Sequence, residues 1–218
     1  MFDRITVIGL GRAGTAIAAR LRERGVAVGP EGDLRLLCVP DRAIAGVAAG
    51  IAPGPWVAHV SGGTPLAALD PHRRRFSLHP LQTLTLDRGP EQLDGAWAAI
   101  TGESAEALQL AGELAAELGL RPFVLADDRR ALYHAGASVA SNFLVTLHRA
   151  ASRLLEHAGA PPEALVPLME RTIDNGFDLT GPIARGDWET VERHLAAIRG
   201  HEPELERLYT ALAEATRT

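Results

Sequence analysis

Near the start of the chain a β-branched run, Ile5-Thr6-Val7-Ile8, meets three glycines at Gly9, Gly11 and Gly14, and a helix-forming stretch, Thr15 to Leu21, follows at once. This spacing leaves few folds open. Gly9 lets the chain turn sharply out of a strand, and Gly11 removes the Cβ that would stand against a pyrophosphate. Gly14 lets the helix pack close to the strand. The unpaired N–H groups at the helix start then face the anion, and the helix dipole acts in the same sense. A strand before such a loop and a helix after it is the setting in which the motif marks a dinucleotide site.

The rest of the chain supports this beginning. Short apolar runs at Val26–Val28, Leu34–Val39, Trp56–Val60, Arg75–Leu78, Ala96–Thr101 and Arg121–Leu125 read as strands, with helices between several of them. Asp41 is expected to cap a helix from about Arg42 to Gly50, and Ser104 one ending near Leu118. Strands alternating with helices imply a mostly parallel, doubly wound sheet. Beyond Asp127 strand signals vanish, and helices are expected over about 129–158, 162–176, 188–199 and 203–216. Asp128, Pro161 and Asp187 supply their starts. The expected architecture is α/β, a Rossmann-type doubly wound sheet over residues 1–127 followed by an all-helical C-terminal domain over 128–218.

Composition narrows the chemistry. A net charge of −5 argues against nucleic acid and anionic membranes as partners. One local exception is His72-Arg73-Arg74-Arg75, which reads either as a solvated turn or as a contact for a phosphate or an acidic substrate tail. Cys38, the single cysteine, lies in an apolar run and is expected in the core; no intrachain disulfide can form, which suits a reducing cytoplasm. No signal-peptide pattern and no membrane-spanning apolar run is present. All 22 Lys and Arg positions are arginine, so lysine Schiff-base and lysine general-acid chemistry are excluded. The histidines show no metal-ligand spacing, so no metal is expected.

Ligands in doubly wound sheets lie beyond the carboxyl ends of the strands. There the sequence places the glycine loop, Val39-Pro40-Asp41, His59-Val60-Ser61-Gly62-Gly63 and His79-Pro80-Leu81-Gln82-Thr83, consistent with one continuous cleft. The first helix of the second domain carries Tyr133 and Ser141. It also carries His134, Ser138 and Asn142 at i, i+4 and i+8, which stay on one helix face within about 80°. Small residues surround them, so this face is either a substrate wall or a solvated helix start. Arg185, in a Gly- and Pro-broken loop, either holds a substrate carboxylate or pairs with Asp178 or Asp187.

These stretches together resemble the family of Rossmann-like NADP oxidoreductases that carry a domain of unknown function. That family lies within the wider group related to 6-phosphogluconate dehydrogenase, pyrroline-5-carboxylate reductase and ketopantoate reductase. The resemblance rests on Gly9-Leu10-Gly11-Arg12-Ala13-Gly14, Val39-Pro40-Asp41, His59-Val60-Ser61-Gly62, His79-Pro80-Leu81-Gln82-Thr83, Tyr133-His134-Ala135 through Ser141-Asn142, and Thr180 to Asp187. It implies NADP, with NAD as the alternative, held by Gly9 to Gly14 with Val39, Pro40, Asp41 and Ser61. It also implies a helical domain that pairs between subunits as a homodimer, and a small anionic substrate such as a 2-oxo acid or imine, met by Gln82, Tyr133 and Arg185.

Two departures stand out. Related enzymes place a lysine four residues before the asparagine, whereas here Ser138 precedes Asn142. His134 or His79 is therefore the expected proton donor, with Ser138 and Asn142 orienting the substrate. The second strand also runs through Gly29-Pro30-Glu31-Gly32-Asp33 straight into the third, with neither the usual ribose-binding acid nor an arginine at its end. Arg12 is then the nearest basic group for a phosphate. A non-catalytic nucleotide-binding module is the reading of a different class.

Overall fold

The computed structural model describes residues 2–217. They form two compact units, one reaching to Val139 and one starting at Ala140. The first unit is built on seven strands: β1 (Arg4–Ile8), β2 (Ala27–Val28), β3 (Leu34–Leu37), β4 (Trp56–His59), β5 (Arg75–Pro80), β6 (Trp97–Gly102) and β7 (Arg121–Val124). Their spatial order is β2-β1-β3-β4-β5-β6-β7. The first five are parallel, β6 runs antiparallel to β5, and β7 is parallel to β6.

Helices α1 (Arg12–Glu23), α2 (Asp41–Ala49), α3 (Ala105–Glu117) and α4 (Arg130–Ser138) complete this unit. Successive strand residues point to opposite faces, so the consecutive buried Leu36 and Leu37 serve different cores. On one face Ile5, Leu34, Leu36, Phe76, Leu78 and Ile100 pack with Ile17 and Leu21 of α1 and Leu114 of α3. On the other, Leu37 and Val57 pack with Ile44 and Ala48 of α2 and with Leu66 and Leu69. A sheet covered on both faces needs such near-continuous apolar strands, which is why they were legible.

Several expectations need correction. Asp41 is the first residue of α2 and makes no capping bond; Pro40 occupies the cap position. By contrast, Ser104 Oγ accepts from the Ala107 N–H, and Asp187 Oδ1 accepts from the Thr190 N–H, as N-caps do. The basic run is not uniform: Arg73 and Arg74 are exposed, whereas His72 and Arg75 are buried. His72 is buried with Nε2 2.9 Å from the Ala48 carbonyl. Arg75 is buried against Glu103 and Asp70, and Arg74 stacks 5.2 Å over the Trp56 ring. Cys38 is half-buried against the first core, and burial pushes its thiol up to about 12.

The helix expected over 129–158 is not continuous. After α4 the segment Val139–Phe143 winds as a π-helix, and α5 (Leu144–His157) follows. The wider i→i+5 turn breaks the register of an α-helix. The stretch from His134 to Asn142 is therefore not a single α-helix, and Asn142 lies in the π-helical segment.

The second unit contains α5, α6 (Leu165–Asp174), α7 (Trp188–His201) and α8 (Glu206–Ala215). Val191, Leu195 and Ile198 of α7 and Ala213 of α8 are buried there. Glu202, buried at the end of α7, accepts from Arg153, and its Oε1 lies 2.8 Å from His157 Nε2; Arg153 also pairs with Glu204. Among the described residues no helix is long and apolar enough to cross a membrane.

Candidate active site

The glycine loop turns out of β1 as its spacing requires. Gly9 has φ +96°, and a Cβ there would stand 2.7 Å from the Cys38 carbonyl oxygen. A Cβ on Gly14 would lie 1.9 Å from the Gly9 carbonyl oxygen, so this helix can sit where it does only with glycine. Gly11 differs, since a Cβ there meets nothing within 4 Å. Its missing side chain leaves open space beside the helix start. Gly11 occupies the N-cap of α1 without a side-chain cap, and the first turn holds no acid. The first N–H groups of a helix have no partner within it. This cradle, open at Gly11 and bordered by the exposed Arg12 and Leu10, fits a pyrophosphate.

The adenosine side is reduced, as the sequence indicated. β2 has two residues and pairs only with Arg4 and Ile5. The chain then crosses β1, with Gly32 N–H donating to Thr6 Oγ1 at 2.9 Å and Asp33 N–H to the Arg4 carbonyl at 2.8 Å. A Cβ on Gly32 would lie 2.6 Å from the Arg4 oxygen, so the crossing is close-packed. β2 therefore ends low on β1 and brings no ribose-binding group to the carboxyl edge.

Beyond β4 a tight turn is organised by Ser61. Its hydroxyl lies 2.8 Å from Asp41 Oδ2 and 2.8 Å from Thr64 Oγ1, and accepts from the Thr64 N–H at 3.0 Å and the Gly63 N–H at 3.3 Å. Ser61 and Asp41, expected to meet the cofactor, are thus bonded to each other. Beneath the turn sits Arg130, only 1% exposed, whose Nε bonds Asp127 at 2.8 Å while Nη1 donates to the Ser61 carbonyl at 3.0 Å. Asp127 in turn accepts from the Leu66 N–H. A buried guanidinium with these partners locks the start of α4 onto the end of β4.

Upon this base stand three aromatic side chains. His79 Nδ1 lies 2.8 Å from the Tyr133 hydroxyl, and the two rings meet edge to face. The His134 ring crosses that of His79 with centroids 6.0 Å apart. Both imidazoles press on the turn: a Cβ on Gly62 would meet His79 Nε2 at 2.9 Å and His134 Cδ2 at 3.0 Å. Burial, aided by His134 and Arg130, lowers His79 to about 4, so its imidazole is neutral at neutral pH. Burial and Arg130 lower His59, fully enclosed behind Ser61, to about 3. Burial raises Tyr133 to about 12, against the pull of Arg130.

The structure thus brings together His79, Tyr133, His134, Ser61 and Asp41. Val39 and Pro40 lie between β3 and α2, Ser138 ends α4, and Gln82 is exposed beyond β5. Asn142 and Arg185 belong to the second unit, where Arg185 donates to the Thr180 carbonyl at 2.7 Å and its charge is among the groups that hold the Asp187 carboxyl down, after the bonds from Thr190. Sequence reasoning missed Arg130, Asp127 and Thr64. The only signal was an acidic and basic cluster before a helix, which most chains place in solvent. Among the described residues no group of His, Cys, Asp or Glu could hold a metal ion.

The family described as Domain of unknown function (DUF2520) matches residues 96–216. No curated protein matches the sequence. Among solved structures, a "putative NADP oxidoreductase" from Bacteroides fragilis is similar over 99% of this chain and 98% of its own, with 20% identity and a TM-score of 0.82. A protein from Thermotoga maritima is similar over 98% of this chain and all of its own (100%), with 24% identity and a TM-score of 0.74. A reductive aminase from Aspergillus terreus, in complex with NADPH and ethyl levulinate, covers 99% of this chain and 93% of its own, with 18% identity and a TM-score of 0.71. These likenesses establish a shared architecture.

Proposed function

The chain belongs to the family described as Domain of unknown function (DUF2520), and from that premise we propose that it is an NADP-dependent oxidoreductase. Its substrate in this reading is a small anionic 2-oxo acid of the ketopantoate kind, on the route to pantothenate and coenzyme A. The observation that carries the reading is the glycine cradle, closed to a Cβ at Gly9 and Gly14 and open at Gly11. The neighbouring strand ends in the same unit carry His79 and the Ser61 turn. Fold similarity to a structure described as a "putative NADP oxidoreductase" and to one in complex with NADPH adds support, and NAD is the alternative.

A nicotinamide cofactor would supply the hydride. The N–H groups at the start of α1 would hold its pyrophosphate, with Arg12 as the nearest cation. Arg130 and the Ser61 turn fix the floor on which Tyr133, His79 and His134 stand, and the proton is delivered from that cluster. Arg185 is assigned to the substrate carboxylate and Asn142 to its orientation, so Arg185→Ala should raise KM more than it lowers kcat.

A second reading, reduction of a C=N bond, is favoured by the fold similarity to a reductive aminase. The discriminating experiment is NADPH oxidation with ketopantoate and with pyrroline-5-carboxylate as competing candidates. If neither NADPH nor NADH raises the melting temperature, the oxidoreductase reading fails and a non-catalytic module replaces it. A cytoplasmic location and a homodimer complete the proposal. The dimer is supported by α5, which buries no residue in this chain while Leu144 is 41% and Val145 50% exposed.

A further inference from the structure

We infer that Tyr133, and neither histidine, delivers the proton, and that His79 is its positioning residue, donating Nδ1–H to the phenolic oxygen. The inference rests on the oxidoreductase reading and assigns the acid within it. Tyr133 is held more firmly than His134: it bonds His79 at 2.8 Å, and its ring meets the edges of His79 and Phe123 with centroids at 5.6 and 5.9 Å. His134 is exposed, and its imidazole forms no hydrogen bond among the described residues. A proton donor works from a fixed position, which favours the tyrosine.

The protonation states agree with the geometry. A neutral imidazole carries one N–H. Placed on Nδ1, it points at the tyrosine oxygen and leaves the phenolic hydrogen free for a substrate. Nε2 lies on the Gly62 side, where a Cβ on that glycine would stand 2.9 Å from it. When hydride reaches the carbon of a C=O bond, the π electron pair moves to oxygen. That oxygen takes the Tyr133 proton, leaving a phenolate. The phenolate is stabilised by the His79 Nδ1–H and by the buried Arg130 charge, the group that also draws the Tyr133 pKa down. Water then returns the proton to Tyr133, which is only half-buried. Burial holds the phenol at about 12, so it stays protonated until the stronger base, an alkoxide, forms beside it.

The test has two arms on the full-length protein. Side-chain 15N NMR without any ligand should find His79 protonated on Nδ1 and unprotonated on Nε2. In Tyr133→Phe the Nδ1 resonance should move while that of His134 stays. A His79 protonated on Nε2, or one indifferent to Tyr133→Phe, overturns the assignment.

With NADPH and ketopantoate or pyrroline-5-carboxylate, Tyr133→Phe should lower kcat by about 100-fold or more. NADPH affinity should stay within about twofold, and His134→Ala should cost less than about tenfold in kcat. His79→Asn, which keeps a donor near the Nδ1 position, should retain more activity than His79→Leu. A large loss in His134→Ala with Tyr133→Phe spared overturns the assignment. If the wild type reduces neither compound, the substrate reading fails by itself, and the tautomer still decides the His79–Tyr133 bond.

Discussion

Gly11 and Gly14 share one motif but answer to different constraints, and substitution separates them. Gly14→Ala forces a Cβ to 1.9 Å from a backbone oxygen, so it should destabilise the fold by about 3 kcal/mol, or about 6–12 °C in Tm. Gly11→Ala meets nothing and should change stability by less than about 0.5 kcal/mol while weakening NADPH binding; thermal melts with and without NADPH check both. The histidines carry a pH signature. His79 and His59 fall from 6.5 to about 4 and about 3 in the fold, so below pH 6.5 the unfolded chain binds more protons than the native one. Their stabilising effect is full above that pH and is lost as pH falls toward those values. Urea midpoints should drop over this window, less steeply in His79→Asn. At this scale the motif glycines and His79 were legible because strand ends and spacings are local. Arg130 was not, because its carbonyl partner Ser61 lies 69 residues away and only folding brings the two together.

Among elements, β2 is the one whose length changes the site. Its return across β1 at Gly32 leaves no room for a side chain, and Gly32→Ala should cost about 2 kcal/mol, read from urea denaturation. The sequence disclosed the absent helix after β2 through Gly29-Pro30 and Gly32, residues that serve turns and close crossings. It did not disclose the π-helix at Val139–Phe143. Every residue there is compatible with an α-helix, and no breaker such as Pro or Gly marks the change. Caps showed the same division: Asp187 and Ser104 cap helices, while Asp41, equally plausible from composition, bonds Ser61 instead. Asp187→Ala should cost about 1 kcal/mol of stability.

For the whole molecule, the dimer proposal rests on the apolar surface of α5, where Leu144 and Val145 are exposed. If the homodimer forms through it, Leu144→Asp or Val145→Asp should convert a dimer to a monomer in analytical ultracentrifugation, with far-UV circular dichroism unchanged. A wild-type monomer at micromolar concentration would remove the dimer from the proposal. The antiparallel turn of β6 has a different consequence. The family match begins at Ala96, beside the first residue of β6, and therefore cuts the sheet between β5 and β6. Ala98, Ala99 and Ile100 of β6 are buried, and the preceding strands of the sheet lie alongside them on the β5 side. Shorn of them, that strand would become a bare, apolar, unpaired border open to its own kind. In this chain the matched segment thus shares one sheet with the strands before it, and residues 96–216 cut out alone would carry that unpaired border.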